Sequence, residues 1–167
     1  MTQSHPDTAS AGANAPSGIV DISADPRRLD IPLIHHWLST QTHWARDIPR
    51  ETLMRAIGNS LCFGAYASDI ETNEMQQVGF ARVITDNATF AYLADVFVIE
   101  SMRGRGIGKR LVEAVLAHPA LQNLRRFLLA TSDAAGLYAQ YGFAPLGPVN
   151  NMMQIHRPDV YTRKNAA

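Results

Sequence analysis

Apolar and polar residues alternate through "GIVDIS" (residues 18–23), the period of a half-exposed strand. In "DIPLIHHWLST" the spacing changes. Asp30 stands as a candidate N-cap, Pro32 falls in the first turn, and Ile31, Ile34, Trp37 and Leu38 share one face, so a helix is expected. A polar connection, "QTHWARDI", carries Trp44 into a second short helix, "PRETLMRAIGNS", with Leu53, Ala56 and Ile57 inward and a stop at Gly58-Asn59. Three β-branched and aromatic runs follow: "LCFGAYAS", "MQQVGFARVI" and "FAYLADVFVI". The turn residues of "DIETNE" and "TDNA" separate them, which predicts a meander of antiparallel strands.

A helix from about Gly106 to His118 is marked by a stripe of Ile107, Leu111, Val112, Val115 and Leu116 and is ended by Pro119. "RRFLLAT" reads as a buried strand, "SDAAGLYAQY" as a further helix, and "GFAPLG" as the start of a last strand. The order β, α, α, β, β, β, α, β, α, β predicts an α/β domain with a mixed sheet flanked by helices. Residues 1–17 are Ala, Ser, Thr, Pro, Gly and Asn without periodicity, so a disordered tail is expected there and one domain over 18–167.

Composition narrows the function. Fifteen Lys and Arg balance fifteen Asp and Glu with no long charge run, so a broad nucleic-acid or anionic-membrane footprint is not expected. No stretch approaches a membrane span and the N-terminus lacks the pattern of a secretory signal, so a cytoplasmic location is expected. One cysteine, Cys62, lies in an apolar run and excludes a disulfide framework. The six histidines form no HxxxH or HExxH spacing, and no metal site is expected.

The chemistry concentrates in "MRGRGIGKRL", residues 102–111. A nucleoside-triphosphate loop, G-x-x-x-x-G-K-[ST], would need glycine where Arg103 stands and a hydroxyl where Arg110 stands. A dinucleotide fingerprint would need G-x-G-x-x-G, whereas Gly104, Gly106 and Gly108 alternate. What remains is a strand, a short glycine loop and a helix N-terminus. Exposed backbone N–H groups there, with Arg103, Arg105 and Lys109, can bind a pyrophosphate.

The stretch "YLADVFVIESMRGRGIGKRLVEAVL" (92–116) resembles the acetyl-CoA-binding core of the GCN5-related N-acetyltransferases, the GNAT family. Arg103 to Gly108 match its R-x-x-G-x-G/A signature, and "LYAQYGF" (137–143) is similar to its L-Y-x-x-x-G-F segment. The resemblance implies a GNAT fold with about six or seven strands and about four helices, and acetyl-CoA bound where the fourth and fifth strands splay. It places the backbone of Val96, Phe97 and Val98 on the acetyl carbonyl and pantetheine. Arg103, Gly104, Arg105, Gly106, Ile107, Gly108 and Lys109 would hold the pyrophosphate, with Thr131, Ser132, Asp133 and Ala134 beside the pantetheine arm.

Acetyl transfer from a thioester to an amine needs a free amine, a donor for the developing oxyanion and an acid for the departing thiolate. An alkyl amine of pKa near 10.4 is deprotonated in only about one molecule in a thousand at neutral pH. A bulge in the strand at Val96–Val98 is expected to aim a backbone N–H at the oxyanion. The resemblance points to Tyr138 as the acid. Asp95, a carboxylate in an otherwise apolar strand, is either the base, acting through water, or a partner to backbone or arginine. The polyamine acetyltransferases show Y-L-E-D-F-F-V where this chain has Y-L-A-D-V-F-V, so Ala94 replaces their glutamate.

Acceptor-binding elements in such a fold are the early helices and their connection, which nominates Trp44, Tyr92, His43 and Arg46. The expected activity is acetylation of a small-molecule amine. A protein or peptide lysine acetyltransferase and a non-catalytic acyl-CoA sensor are the other readings, and the resemblance also allows a homodimer.

Overall fold

The computed structural model describes residues 20–68, 74–147, 152–157 and 160–161. The tail expected over residues 1–17 lies outside them. Among the described residues five strands form one sheet in the order β1-β2-β3-β4-β5: Val20–Ser23, Leu61–Ser68, Met75–Thr85, Phe90–Val98 and Arg126–Leu129. The first four run antiparallel in sequence, and β5 joins β4 in parallel. Helices α1 (Ile31–Gln41), α2 (Arg50–Gly58), α3 (Ile107–Ala117) and α4 (Ala135–Ala139) complete the expected α/β architecture. The described residues hold one or two strands fewer than expected, and residues 142–147 make no strand pairing. Pro145 has no N–H to give a ladder and Gly142 sits at φ +86°, so the backbone there does not continue as a strand.

The sheet divides two apolar clusters. On one face α3 lays Ile107, Leu111, Val112 and Val115 against Phe63, Ala81, Val83 and Leu93, and Tyr138 of α4 joins them. Each Ile, Leu, Val or Phe among them, taken fully from water, contributes about 1.5–3 kcal/mol before entropy is subtracted. On the other face Ile34 and Leu38 of α1 and Leu53 and Ile57 of α2 pack on Cys62, Phe80 and Phe97. Helix α1 starts as the sequence predicts: Asp30 Oδ1 accepts from Leu33 N at 2.9 Å. The Asp30 N–H in turn donates to Gln77 Oε1 at 2.7 Å, which ties the helix start to β3.

Two bulges decide which residue meets which cluster. Between β2 and β3 the register passes from Ala65↔Gly79 to Tyr66↔Gln77, leaving Val78 without a partner. Between β3 and β4 it passes from Arg82↔Ala94 to Phe80↔Phe97, so Asp95 and Val96 together oppose Ala81. A one-residue slip moves every later side chain to the opposite face. Leu93 therefore faces α3, whereas Phe97, four residues on, faces α1 and stacks on Trp37 with centroids 5.3 Å apart.

The hairpin between β3 and β4 is closed by Asp86. Its Oδ1 accepts from Ala88 N, Thr89 N and Phe90 N at 3.0, 2.8 and 3.0 Å, and its Oδ2 accepts from the Thr89 hydroxyl at 2.6 Å. The Thr89 hydroxyl first, then these backbone donors, hold the carboxyl well below the usual carboxylate range. A carboxyl with a depressed folded pKa lends stability that is present above its unfolded pKa, about 3.9, and is lost as pH falls toward the folded value. Asp86→Ala should therefore lower Tm at pH 7, and the gap from the parent protein should shrink below about pH 4. A gap of equal size at pH 7 and pH 3 would contradict this account.

Candidate active site

Beyond the last β4–β5 pair, Leu93↔Leu129, strand β4 continues for five residues with no described strand on its β5 side. This is the expected splay between the fourth and fifth strands. The bulge that accompanies it is centred on Asp95–Val96 rather than on Val96–Val98 as the sequence suggested. Asp95 is the residue that turns: its φ is +54°, in the left-handed region that Asp and Asn enter more readily than other side chains.

What holds Asp95 there is explicit. Arg82 Nε donates to its Oδ2 at 2.7 Å, and the Trp44 indole N–H donates to its Oδ1 at 3.3 Å. Arg82 also donates to Ser60 Oγ at 3.1 Å, and Ser60 donates to Ala56 O at 2.8 Å. Four segments are thus linked: the α1–α2 connection, the end of α2, β3 and the β4 bulge. The ion pair is well shielded, with side-chain exposures of 14% and 11%. Removing either partner of such a pair leaves a charge without compensation.

The connection that carries Trp44 is itself anchored. Thr42 Oγ1 donates to Leu38 O at 2.6 Å and accepts from Ala45 N at 3.3 Å, while His35 Nε2 meets Ile48 O at 2.9 Å. Ala45 and Ile48 are buried, and Trp44 just before them stays 51% exposed, edge-on to His43 at 5.1 Å.

These residues face a trough of about 600 Å³. It gathers His43, Trp44, Tyr92, Asp95, Val96, Tyr138 and Thr131 to Ala134 from the expected site residues. Arg46 does not line it and stands exposed on the connection. Phe97 turns its ring away into the α1 cluster, so only its backbone faces the β4 edge. Arg82, Ile84 and Tyr161 are among the lining residues that the sequence reading did not nominate. A lone arginine in "VGFARVI" opposite a lone aspartate in "YLADVFV" was the available signal for Arg82; nothing local marked Tyr161.

Tyr138 is buried against Phe143 at a centroid distance of 6.0 Å, and no described residue hydrogen-bonds its hydroxyl. Burial pushes its phenol pKa up, and the negative charge of Asp133 adds to the effect. Cys62, in the α1 cluster, has its thiol pushed up to about 12, chiefly by burial. Among the described residues no group of His, Cys, Asp and Glu is arranged to hold a metal ion. No described helix is long and apolar enough to cross a membrane.

At the far end of the open edge lies the glycine loop. Gly104 and Gly106 have φ of +74° and +76°, and a Cβ at either would meet open space. Glycine is thus required by conformation, not by crowding, and the left-handed region costs other residues about 1–2 kcal/mol. Helix α3 has no side-chain cap, and none of the N–H groups from Gly104 to Lys109 donates to a described acceptor. Arg105 and Lys109 stand exposed beside them. Arg103 leans elsewhere, donating to Val98 O at 3.3 Å with its guanidinium 5.9 Å from the Trp37 ring.

Comparison with known proteins agrees with this layout. The family model "Acetyltransferase (GNAT) domain" matches residues 59–145. A candidate acetyltransferase of Gibberella zeae is 33% identical over 71% of this chain and 75% of its own length. A crystal structure from Xanthomonas campestris, described as a candidate GNAT acetyltransferase, is 53% identical and superposes with a TM-score of 0.79, over 87% of this chain and 98% of that one. A Mycobacterium tuberculosis protein crystallised with CoA shares the fold at a TM-score of 0.60 and 23% identity, over 78% and 76% of the two chains. With a model match over half its length and these relatives, the chain belongs to the GNAT acetyltransferase family.

Proposed function

We propose that this protein binds acetyl-CoA along the open β4 edge and transfers its acetyl group directly to the amine of a small molecule held in the trough. The observation that carries the reading is the continuity of three features on one strand. Among the described residues, a row of unengaged N–H groups lies past its C-terminal end, an unpaired edge runs along its second half, and a trough with an unengaged phenol opens at its bulge.

The residues fit such a ligand. The Gly104–Lys109 N–H groups at the positive end of α3, with Arg105 and Lys109, would hold a pyrophosphate. The backbone of Val96, Phe97 and Val98 would face the pantetheine end, with Thr131, Ser132, Asp133 and Ala134 across the gap. Acetyl-CoA supplies an activated acyl group on sulfur. In the net reaction an N–C bond forms, the C–S bond breaks, one proton leaves nitrogen and one reaches sulfur.

Tyr138 is proposed to donate the proton to sulfur. A phenol raised above its ordinary pKa of about 10 stays protonated at neutral pH, so its O–H is available to donate to the sulfur as negative charge builds there and the C–S bond breaks. A backbone N–H at the Asp95–Val96 bulge would face the charge growing on the carbonyl oxygen. Asp95 is proposed as a positioning residue: Arg82 and Trp44 occupy one oxygen each, and the proton from nitrogen leaves by water. Direct transfer needs no nucleophilic side chain. With its pKa near 12, Cys62 is ionised in roughly one molecule in 10⁵ at pH 7.

Tyr138→Phe should lower kcat at least tenfold while acetyl-CoA affinity, read by calorimetry, is retained; an unchanged kcat removes Tyr138 from the chemistry. Asp95→Asn keeps the shape, the tolerance for positive φ and an acceptor oxygen. The acidic limb of its pH profile for kcat/KM should persist, and disappearance of that limb would make Asp95 the base. Cys62→Ala should keep kcat within about twofold with intersecting double-reciprocal plots. Parallel plots for the parent protein and abolished turnover in a folded Cys62→Ala would overturn direct transfer.

A further inference from the structure

We infer that the acceptor is a primary amine on an apolar, ring-sized body that bears no carboxylate or phosphate. This deepens the proposed function and rests on its assignment of the trough as the acceptor site.

The floor is sheet surface that the protein leaves uncovered. Helices α1 and α2 roof only the end of that face where Cys62, Phe80 and Phe97 lie. Toward the β3–β4 hairpin, Ile84 and its register partner Tyr92 both line the trough, and Ile84 is 42% exposed. The walls are aromatic. Trp44 spends its indole N–H on Asp95, so its half-exposed ring presents hydrocarbon and π surface to the cavity. Tyr161 lines the same cavity while packing against the α1–α2 cluster. Apolar, aromatic concavities of this size suit small organic ligands, which gain by covering such surface.

Charge sets the second half of the argument. The charged residues of the lining are Arg82, Asp95 and Asp133, with His43 beside them. Arg82 and Asp95 neutralise each other at 2.7 Å. Asp133 is exposed and has no ion-pair partner among the described residues. With the histidine counted neutral, the one unbalanced charge on the described lining is the carboxylate of Asp133. It draws an ammonium group in and repels an anionic one, and no described arginine or lysine of the lining is free to grip a carboxylate or phosphate. An amine whose anionic group enters without a partner loses its hydration for nothing in return.

The test follows thiol release by the full-length protein at saturating acetyl-CoA with matched acceptors: 2-phenylethylamine against phenylalanine, tyramine against tyrosine, ethanolamine against O-phosphoethanolamine, and a lysine peptide. The expected result is a kcat/KM at least tenfold higher for each amine than for its anionic counterpart, and higher for the ring-bearing amines than for ethanolamine. Asp133→Asn should narrow the gap between 2-phenylethylamine and phenylalanine at least threefold. Equal or better turnover of the amino acids, the phosphate ester or the peptide overturns this inference while leaving acetyl transfer standing. No thiol release with any amine overturns the proposed function itself, and the acceptor class with it.

Discussion

The ion pair between Arg82 and Asp95 is the constraint on which the sheet depends. A non-glycine residue at φ +54° in mid-strand is not a conformation that β4 would choose alone, and it persists because the carboxylate is fixed from two sides. From that one turned residue three consequences spread. The side chains beyond it exchange faces, so Val96 and Val98 pack with α3 while Phe97 packs with α1. Pairing with β5 ends at Leu93, two residues before the turn. The α1–α2 connection, held through Trp44, is set over the opening.

Most of the fold was legible in the chain because its elements advertise themselves locally. Asp30 and Pro32 announce α1, the stripe from Ile107 to Val115 announces α3, and Asp86-Asn87 closes a hairpin with the expected turn chemistry. The sequence suggests the bulge one step too late, since "VFVI" is apolar on both faces of the strand and periodicity carries no phase there. Pro145 and the left-handed Gly142 break what "GFAPLG" suggests by its apolar residues, and a pattern of hydrophobicity does not register a missing N–H. Tyr161 enters the site only through tertiary return of the chain. Its contribution has no spacing to read.

The glycine loop was readable for a different reason: its chemistry is carried by the backbone, and glycine is the residue that exposes backbone. The structure refines which cations accompany it. Arg103, first in the signature, is turned to the Val98 carbonyl and toward Trp37, whereas Arg105 and Lys109 remain beside the open N–H groups. A chain with no net charge can still present a local anion site in this way, since the dipoles of six successive peptide groups need no excess of basic residues.

The parallel pairing of β4 with β5 has a consequence for how ligand and stability are linked. The four antiparallel strands follow one another in sequence, but β5 is reached only after 27 residues, 99–125, which contain the whole of α3. The two walls of the splay are thus neighbours in space that the chain joins only through a long helical excursion. A molecule lodged between them acts as a second, non-covalent tether across that excursion. Its binding free energy, by mass action, adds to the closing of the sheet itself.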